Sequence, residues 1–205
     1  MHYLVYSTGQ IPPAAPADAA LLDAHEQEAY ARHGAPYLAR RMLLRRELAR
    51  LTGLQVQGIR LQYGENGKPH FPPQPFNMSH SRDCLCLAFH HREIGVDVEY
   101  MRPRPFAALA ERFMAAPQLA AFLERGCPQQ EFYACWCAAE ALVKHAGSGI
   151  WHAQGRFPFL YDAGRIIPQF PDAPQVELFS PAPGFMGALA FPPDPCGRPA
   201  RTHIC

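Results

Sequence analysis

The sequence has almost no net charge: 19 lysines and arginines stand against 18 aspartates and glutamates, a formal +1 over 205 residues. So balanced a chain has no basic excess to neutralise a run of phosphates. That excludes a general nucleic-acid coat, though not a local basic patch. Long apolar runs are also lacking. The longest falls far short of the roughly 20 residues that a membrane-spanning helix needs, so no membrane partner is expected. The opening MHYLVYSTGQ has no basic stretch leading into an apolar core, which gives no visible export signal and the expectation of a cytoplasmic protein. No disulfide framework is evident. The seven cysteines are odd in number and irregular in spacing, and Cys84 and Cys86 lie in the apolar stretch CLCLAF, as reduced core thiols would. A Walker loop is missing too, because Gly64-Glu65-Asn66-Gly67-Lys68-Pro69 has the wrong spacing and no Ser or Thr after Lys68.

What the chain does have is apolar material, 48% of its residues, enough for one generous domain or two small packed ones. Proline and glycine punctuate it. After a loop at 11–17, the pattern predicts a helix from Asp18 to about His33 ended by Gly34, and another from Pro36 to about Thr52 ended by Gly53. The second helix is basic, with Arg40, Arg41, Arg45, Arg46 and Arg50. Strands are expected in GIRLQY, CLCLAFHH and IGVDVEY. A proline-and-arginine connection spans 100–118, and a helix from about Pro128 to Ala146 closes on Gly147. The order helix, glycine, strand, hairpin occurs twice, the second time through GIWHAQ and GFMGALAF. That order suggests an α+β fold of two halves, although any α+β chain of this length shows some repetition. Residues 192–205 (PPDPCGRPARTHIC) read as a poorly ordered tail.

Three local features carry chemistry. In Ile94-Gly95-Val96-Asp97-Val98-Glu99, strand alternation puts Asp97 and Glu99 on one face and the aliphatic residues on the other. Two adjacent carboxylates repel, and burying them requires a cation; oxygen-only donors favour a hard ion such as magnesium. Taken alone, D-x-E is more often a solvated acidic face. On the helix FYACWCAAEALVK, Glu140 falls between Trp136 and Tyr133, inside or at the edge of the apolar sector, with Lys144 one turn on. The bland reading is an ordinary Glu140–Lys144 helix pair. A third carboxylate brought against Asp97 and Glu99 would complete a metal site. The third feature joins the loop at Gly64–Pro69 to Asn77-Met78-Ser79-His80-Ser81, where Lys68, Ser79 and His80 could each meet a phosphate oxygen. The cluster His90, His91, Cys84 and Cys86 matches no structural zinc spacing, and packing explains it better.

In order, GKPHFP, FNMSHS, IGVDVEYMRPR and FYACWCAAEALVKHAGSGI resemble the Sfp-type 4′-phosphopantetheinyl transferases. The resemblance runs from the basic helix near residue 40 to GFMGALAF near 187 and rests on the ordered set, not on one motif. It implies two pseudo-symmetric α/β halves, residues 1–100 and 101–191, with the active site in the cleft between them. It also implies Asp97, Glu99 and Glu140 as magnesium ligands, with Lys144 facing the pyrophosphate of coenzyme A. His80 with Ser79 would hold the 3′-phosphate, Lys68 and Pro69 would line the adenine and phosphate pocket, and Arg41 would reach in from the basic helix. Where the family usually has a basic residue before the helical glutamate, this chain has Ala139.

The reaction so implied is attack of a serine of an apo acyl or peptidyl carrier protein on the β-phosphate of coenzyme A, with Glu140 as candidate acceptor of the serine proton; the tandem halves lead to the expectation of a monomer. Two rivals remain at this level. One is another metal-dependent phosphodiesterase, against which the NMSH segment argues. The other is a catalytically degenerate relative that only binds coenzyme A or the carrier, against which the three intact carboxylates argue.

Overall fold

The computed structural model describes residues 2–64, 67–147, 157–193 and 201–204. Helix α1 (Ala24–Thr52) begins where Asp23 and Glu26 cap each other, the Asp23 side chain accepting from Glu26 N at 2.8 Å. The predicted start at Asp18 lies instead in a short 3-10 helix, Pro16–Leu21, because Asp18 turns back to accept from Ala15 N at 2.9 Å. The two expected helices abut across Gly34, whose φ of 63° and ψ of −157° break the helical run. Gly53, at φ 74°, closes the end by donating to Ala49 O. A buried ion pair steadies the kinked helix. Arg45 and Glu26, 1% and 0% exposed, pair side chain to side chain, with Arg45 Nη1 3.1 Å from Glu26 Oε1.

The remaining elements are strands β1 (His2–Ser7), β2 (Gln62–Tyr63), β3 (Pro69–His70), β4 (Phe76–Ser81), β5 (Cys84–Phe89) and β6 (Gly95–Tyr100), then helices α2 (Phe106–Ala110), α3 (Ala116–Glu124) and α4 (Gln129–His145). Strands β7 (Phe159–Asp162), β8 (Arg165–Pro168), β9 (Gln175–Phe179), β10 (Phe185–Phe191) and β11 (Arg201–Ile204) follow. Of GIRLQY only Gln62 and Tyr63 form strand, since a 3-10 turn at Val56–Gly58 occupies the approach. The predicted GIWHAQ segment lies outside the described residues. Part of the expected tail is ordered: Arg201–Ile204 pairs in parallel with His2–Val5, covering a strand edge that would otherwise expose its polar groups. No described helix is long and apolar enough to cross a membrane.

Two sheets form the frame. The first has the order β11-β1-β5-β4 and the second β6-β10-β9. Period-2 alternation gives each sheet two apolar faces. Leu4, Tyr6, Leu85 and Leu87 pack under Leu44 and Leu48 of α1, while Tyr3, Val5, Cys86 and Ala88 meet Val96, Val98, Leu189 and Phe191 of the second sheet. On the far side of that sheet, Ala188 and Ala190 pack with Ala138 and Leu142 of α4. The layers therefore run helix, sheet, sheet, helix, which is the mixed α+β architecture expected. Strand β6 lies within the first 100 residues, yet it is hydrogen-bonded into the second sheet beside β10.

Strand β4 runs along the open edge of β6 and closes it with side chains instead of a backbone ladder. Asn77 Oδ1 accepts from Val96 N at 2.9 Å, Ser79 Oγ from Val98 N at 3.3 Å and Ser81 Oγ from Tyr100 N at 3.1 Å, each pair 19 residues apart. The constant offset and the alternating positions keep the two strands parallel and in step. On the other face, Gly95 lets α4 approach. A Cβ there would lie 1.9 Å from Ala141 O and 2.5 Å from His145 N, both backbone atoms that cannot swing aside. Gly95→Ala should therefore destabilise the protein by about 3 kcal/mol, the upper end for an overpacked core, as read by urea unfolding. A loss under about 0.5 kcal/mol would contradict this close contact.

Candidate active site

Because β6 alternates, Val96 and Val98 face the first sheet while Asp97 and Glu99 face the α4 side. The close approach at Gly95 brings Lys144 onto Asp97. Its Nζ donates to Asp97 Oδ1 at 2.7 Å and to Ser79 Oγ at 3.2 Å. Ser79 Oγ in turn donates to Asp97 Oδ1 at 2.8 Å. Ser81 Oγ does the same for Glu99 Oε2 at 3.0 Å. One strand, one helix and the edge-closing side chains of β4 thus meet at a single seam. The helix-surface pairing of Glu140 with Lys144 is not found among the described residues; Lys144 reaches across to β6 instead.

The acidic groups act on one another electrostatically. Burial first, and then the charge of Asp97, raise the pKa of Glu140 to about 7, with Lys144 opposing and Glu99 adding to the rise. Glu99 is also raised, again by burial and then by Asp97, while its bond from Ser81 pulls the other way. Burial alone would lower the Lys144 ammonium; Asp97 and then Glu140 outweigh it and hold the group above its ordinary value. Three carboxylates therefore share the field of one lysine. Asp97 Oδ2 is buried with no hydrogen-bond partner. Among the described residues, no three His, Cys, Asp or Glu side chains form a ready-made metal cage. The orphaned oxygen and the mutually repelling, oxygen-only donors nonetheless fit a hard dication.

The remaining predicted residues lie around this seam with their own partners. Ser79 and His80 point to opposite faces of β4, so Ser79 serves Asp97 and only His80 turns toward the basic helix. Crowding by the protein, then Arg40, Lys144 and Arg41, lower the pKa of His80. Arg41 Nε donates to Tyr37 Oη at 2.9 Å, lies 3.5 Å from Glu26 Oε1, and its Nη1 meets Met78 Sδ at 3.4 Å. Lys68 Nζ donates to Lys144 O at 2.7 Å and pairs with Glu93 at 3.2 Å, a cation at the C-terminal end of α4. Pro69 begins β3. Ala139 is buried in the α4 core, 7% exposed. Sequence reasoning missed Asn77 and Ser81 as edge closers and Glu26 as the buried anion under Arg41. The alternation N-x-S-x-S beside a D-x-E strand was the available signal for the first two.

Comparison with known proteins identifies the family. Residues 93–179, which carry β6, α4 and the three carboxylates, match the family model of the 4′-phosphopantetheinyl transferase superfamily. Over 157 residues the chain is 31% identical to the 4′-phosphopantetheinyl transferase psf-1 of Bacillus pumilus, a match covering 72% of this chain and 67% of that one. The chain belongs to the 4′-phosphopantetheinyl transferase family. It is also 33% identical over 137 residues to a 4′-phosphopantetheinyl transferase of Bacillus subtilis, covering 64% of this chain and 61% of the relative. A third relative, 4′-phosphopantetheinyl transferase Sfp of Bacillus subtilis strain 168, is 29% identical over 163 residues, or 75% and 72% of the two chains. Matches to these family members thus span about two thirds of the relatives' own lengths.

The raised Glu140 has a measurable consequence. Its folded pKa of about 7 lies above the ordinary carboxylate value, so the folded state binds the proton more tightly than the unfolded state. Its contribution to stability is therefore full below the unfolded pKa and is lost as pH rises through the folded one. In chelator, Glu140→Gln should gain about 2 kcal/mol on the wild type between pH 5 and pH 8, after discounting for solvent screening. A stability difference that stays constant over that range would contradict the crowding of these carboxylates.

Proposed function

We propose that this chain transfers the 4′-phosphopantetheine group of coenzyme A to a serine of an apo acyl or peptidyl carrier protein, with magnesium, as a cytoplasmic monomer. The observation that carries this reading is the convergence of Asp97, Glu99, Glu140 and Lys144 on one seam in a chain of this family. Asp97, Glu99 and Glu140 are the residues that would hold the metal. When bound, the ion supplies positive charge against the coenzyme A pyrophosphate. Asp97, Glu99, Glu140 and Lys144 all come from one chain, which supports a monomer.

Each side chain then has a definite task. The carrier serine oxygen bonds to the β-phosphorus as the bond to the bridging oxygen breaks, and adenosine 3′,5′-bisphosphate leaves with that electron pair. Lys144 stabilises the charge that develops on the leaving group; its ammonium, held charged by Asp97, is preorganised for this. Glu140 is the candidate acceptor of the serine proton, a role open to it only while its carboxylate is not held by the ion. His80 and Arg41 hold the 3′-phosphate end of the nucleotide, and the surrounding Arg40 adds positive field. Lys68 and Pro69 line the adenine and phosphate side of the cleft. Ser79 is assigned to that ligand as well, although its hydroxyl also holds Asp97.

Lys144→Met should lower kcat by roughly 100-fold or more, in line with losing one preorganised electrostatic group. The KM for coenzyme A should change less, because the interaction grows in the transition state. Lys144→Arg should recover only part of the rate, since the broader guanidinium cannot sit on Asp97 and Ser79 as the ammonium does. Steady-state transfer kinetics on any modifiable carrier measure this. An unchanged kcat in Lys144→Met would remove the lysine from the chemistry and leave it a structural partner of Asp97.

A further inference from the structure

The seam contains a group that the chemistry above does not use. Ser81 ends β4, and its hydroxyl is engaged on both sides: it accepts from Tyr100 N at 3.1 Å and donates to Glu99 Oε2 at 3.0 Å. A serine hydroxyl has one proton. Because the backbone N–H occupies the acceptor side, the proton is directed to the carboxylate. Two residues back, Ser79 repeats the arrangement, accepting from Val98 N and donating to Asp97 Oδ1. Asn77, at the start of the series, accepts from Val96 N, next to Gly95, a position with no carboxylate to hold. Thus the hydroxyl appears at the two places in the series where β6 carries an acid, and the amide where it does not.

We propose that Ser81 is a positioning residue for metal binding, one that fixes the Glu99 carboxylate by using the β6 backbone as its own anchor. The inference rests on the reading of Glu99 as a metal ligand. Glu99 is only half-buried, and although Arg104 and Lys144 act on it through their charge, among the described residues Ser81 is the side chain that hydrogen-bonds it at the strand end. Outer-shell partners of this kind typically change metal affinity by about 10–100-fold when removed.

The test is a Mn²⁺ titration of the free protein, followed by electron paramagnetic resonance of the unbound ion, with no coenzyme A or carrier present. Ser81→Ala should weaken Mn²⁺ binding by about 10–100-fold, while Ser81→Thr, which keeps the hydroxyl, should stay within about 3-fold of the wild type. In a Glu99→Gln background, Ser81→Ala should cost no further affinity, because its effect passes through Glu99. A purely structural serine would instead weaken binding equally in both backgrounds, which overturns the inference. So does unchanged affinity in Ser81→Ala when Glu99→Gln is itself weakened. Wild-type affinity in Glu99→Gln overturns the metal assignment of Glu99, and with it this inference. If Ser81→Ala does not fold, Ser81→Cys carries the same expectation, since a thiol is a weak donor and a weak acceptor at similar volume.

Discussion

An open strand edge has to be satisfied, and in this protein the way β6 is satisfied determines the rest. The backbone N–H groups of Val96, Val98 and Tyr100 would be buried without partners if β4 did not cover them, at a cost of about 1–3 kcal/mol each. A further main-chain strand would have met that need by extending the sheet. Side-chain oxygens meet it differently: they leave β4 in the first sheet and β6 in the second, so the two sheets stay separate layers locked in register. That lock places the carboxylates of β6 where α4 can reach them. It also explains why a short hydroxyl and a short amide occur at alternate positions, since longer side chains would push the strands apart.

The site is electrostatically unfinished. Asp97, Glu99 and Glu140 repel one another in a partly desolvated seam, and Lys144 offsets only part of that charge. Native cores avoid such arrangements unless a function needs them, because removing carboxylates from water is costly when they are not paired. The raised pKa of Glu140 and the orphaned oxygen of Asp97 express the same imbalance in two ways. Gly95 is what makes it unavoidable. By letting the α4 backbone come against β6, it sets Lys144 within hydrogen-bonding distance of Asp97 and crowds the helix-borne Glu140 toward the strand-borne pair.

Much of this was legible in the sequence, because it depended on local periodicity. The period-2 pattern of IGVDVEY put Asp97 and Glu99 on one face, and the helical angle of Glu140 set it against the aromatic sector, away from solvent. Gly34 and Gly53 broke and ended helices as glycine does. What was not legible depended on partners far apart in the chain. Nothing local says that β6 pairs with β10, that Lys144 bonds Asp97 instead of Glu140, or that Ser79 turns from His80 toward Asp97. Lys68 looked like a phosphate ligand, and its tie to Lys144 O emerges only when the loop meets the end of α4. The buried Glu26–Arg45 pair, 19 residues apart across a glycine kink, gave no pattern that distinguished it from surface charge.

The central claim is that this seam performs a magnesium-dependent transfer to a carrier serine. It is tested most directly by incubating the protein with an apo carrier protein and coenzyme A, with magnesium or with chelator, and reading the intact mass of the carrier. The account predicts that with magnesium the carrier gains the mass of one phosphopantetheine group on its serine. With chelator, or with Asp97→Asn protein, it should gain none. An unmodified carrier in magnesium across fatty-acid, polyketide and peptide-synthetase types, or equal modification in chelator, would contradict it.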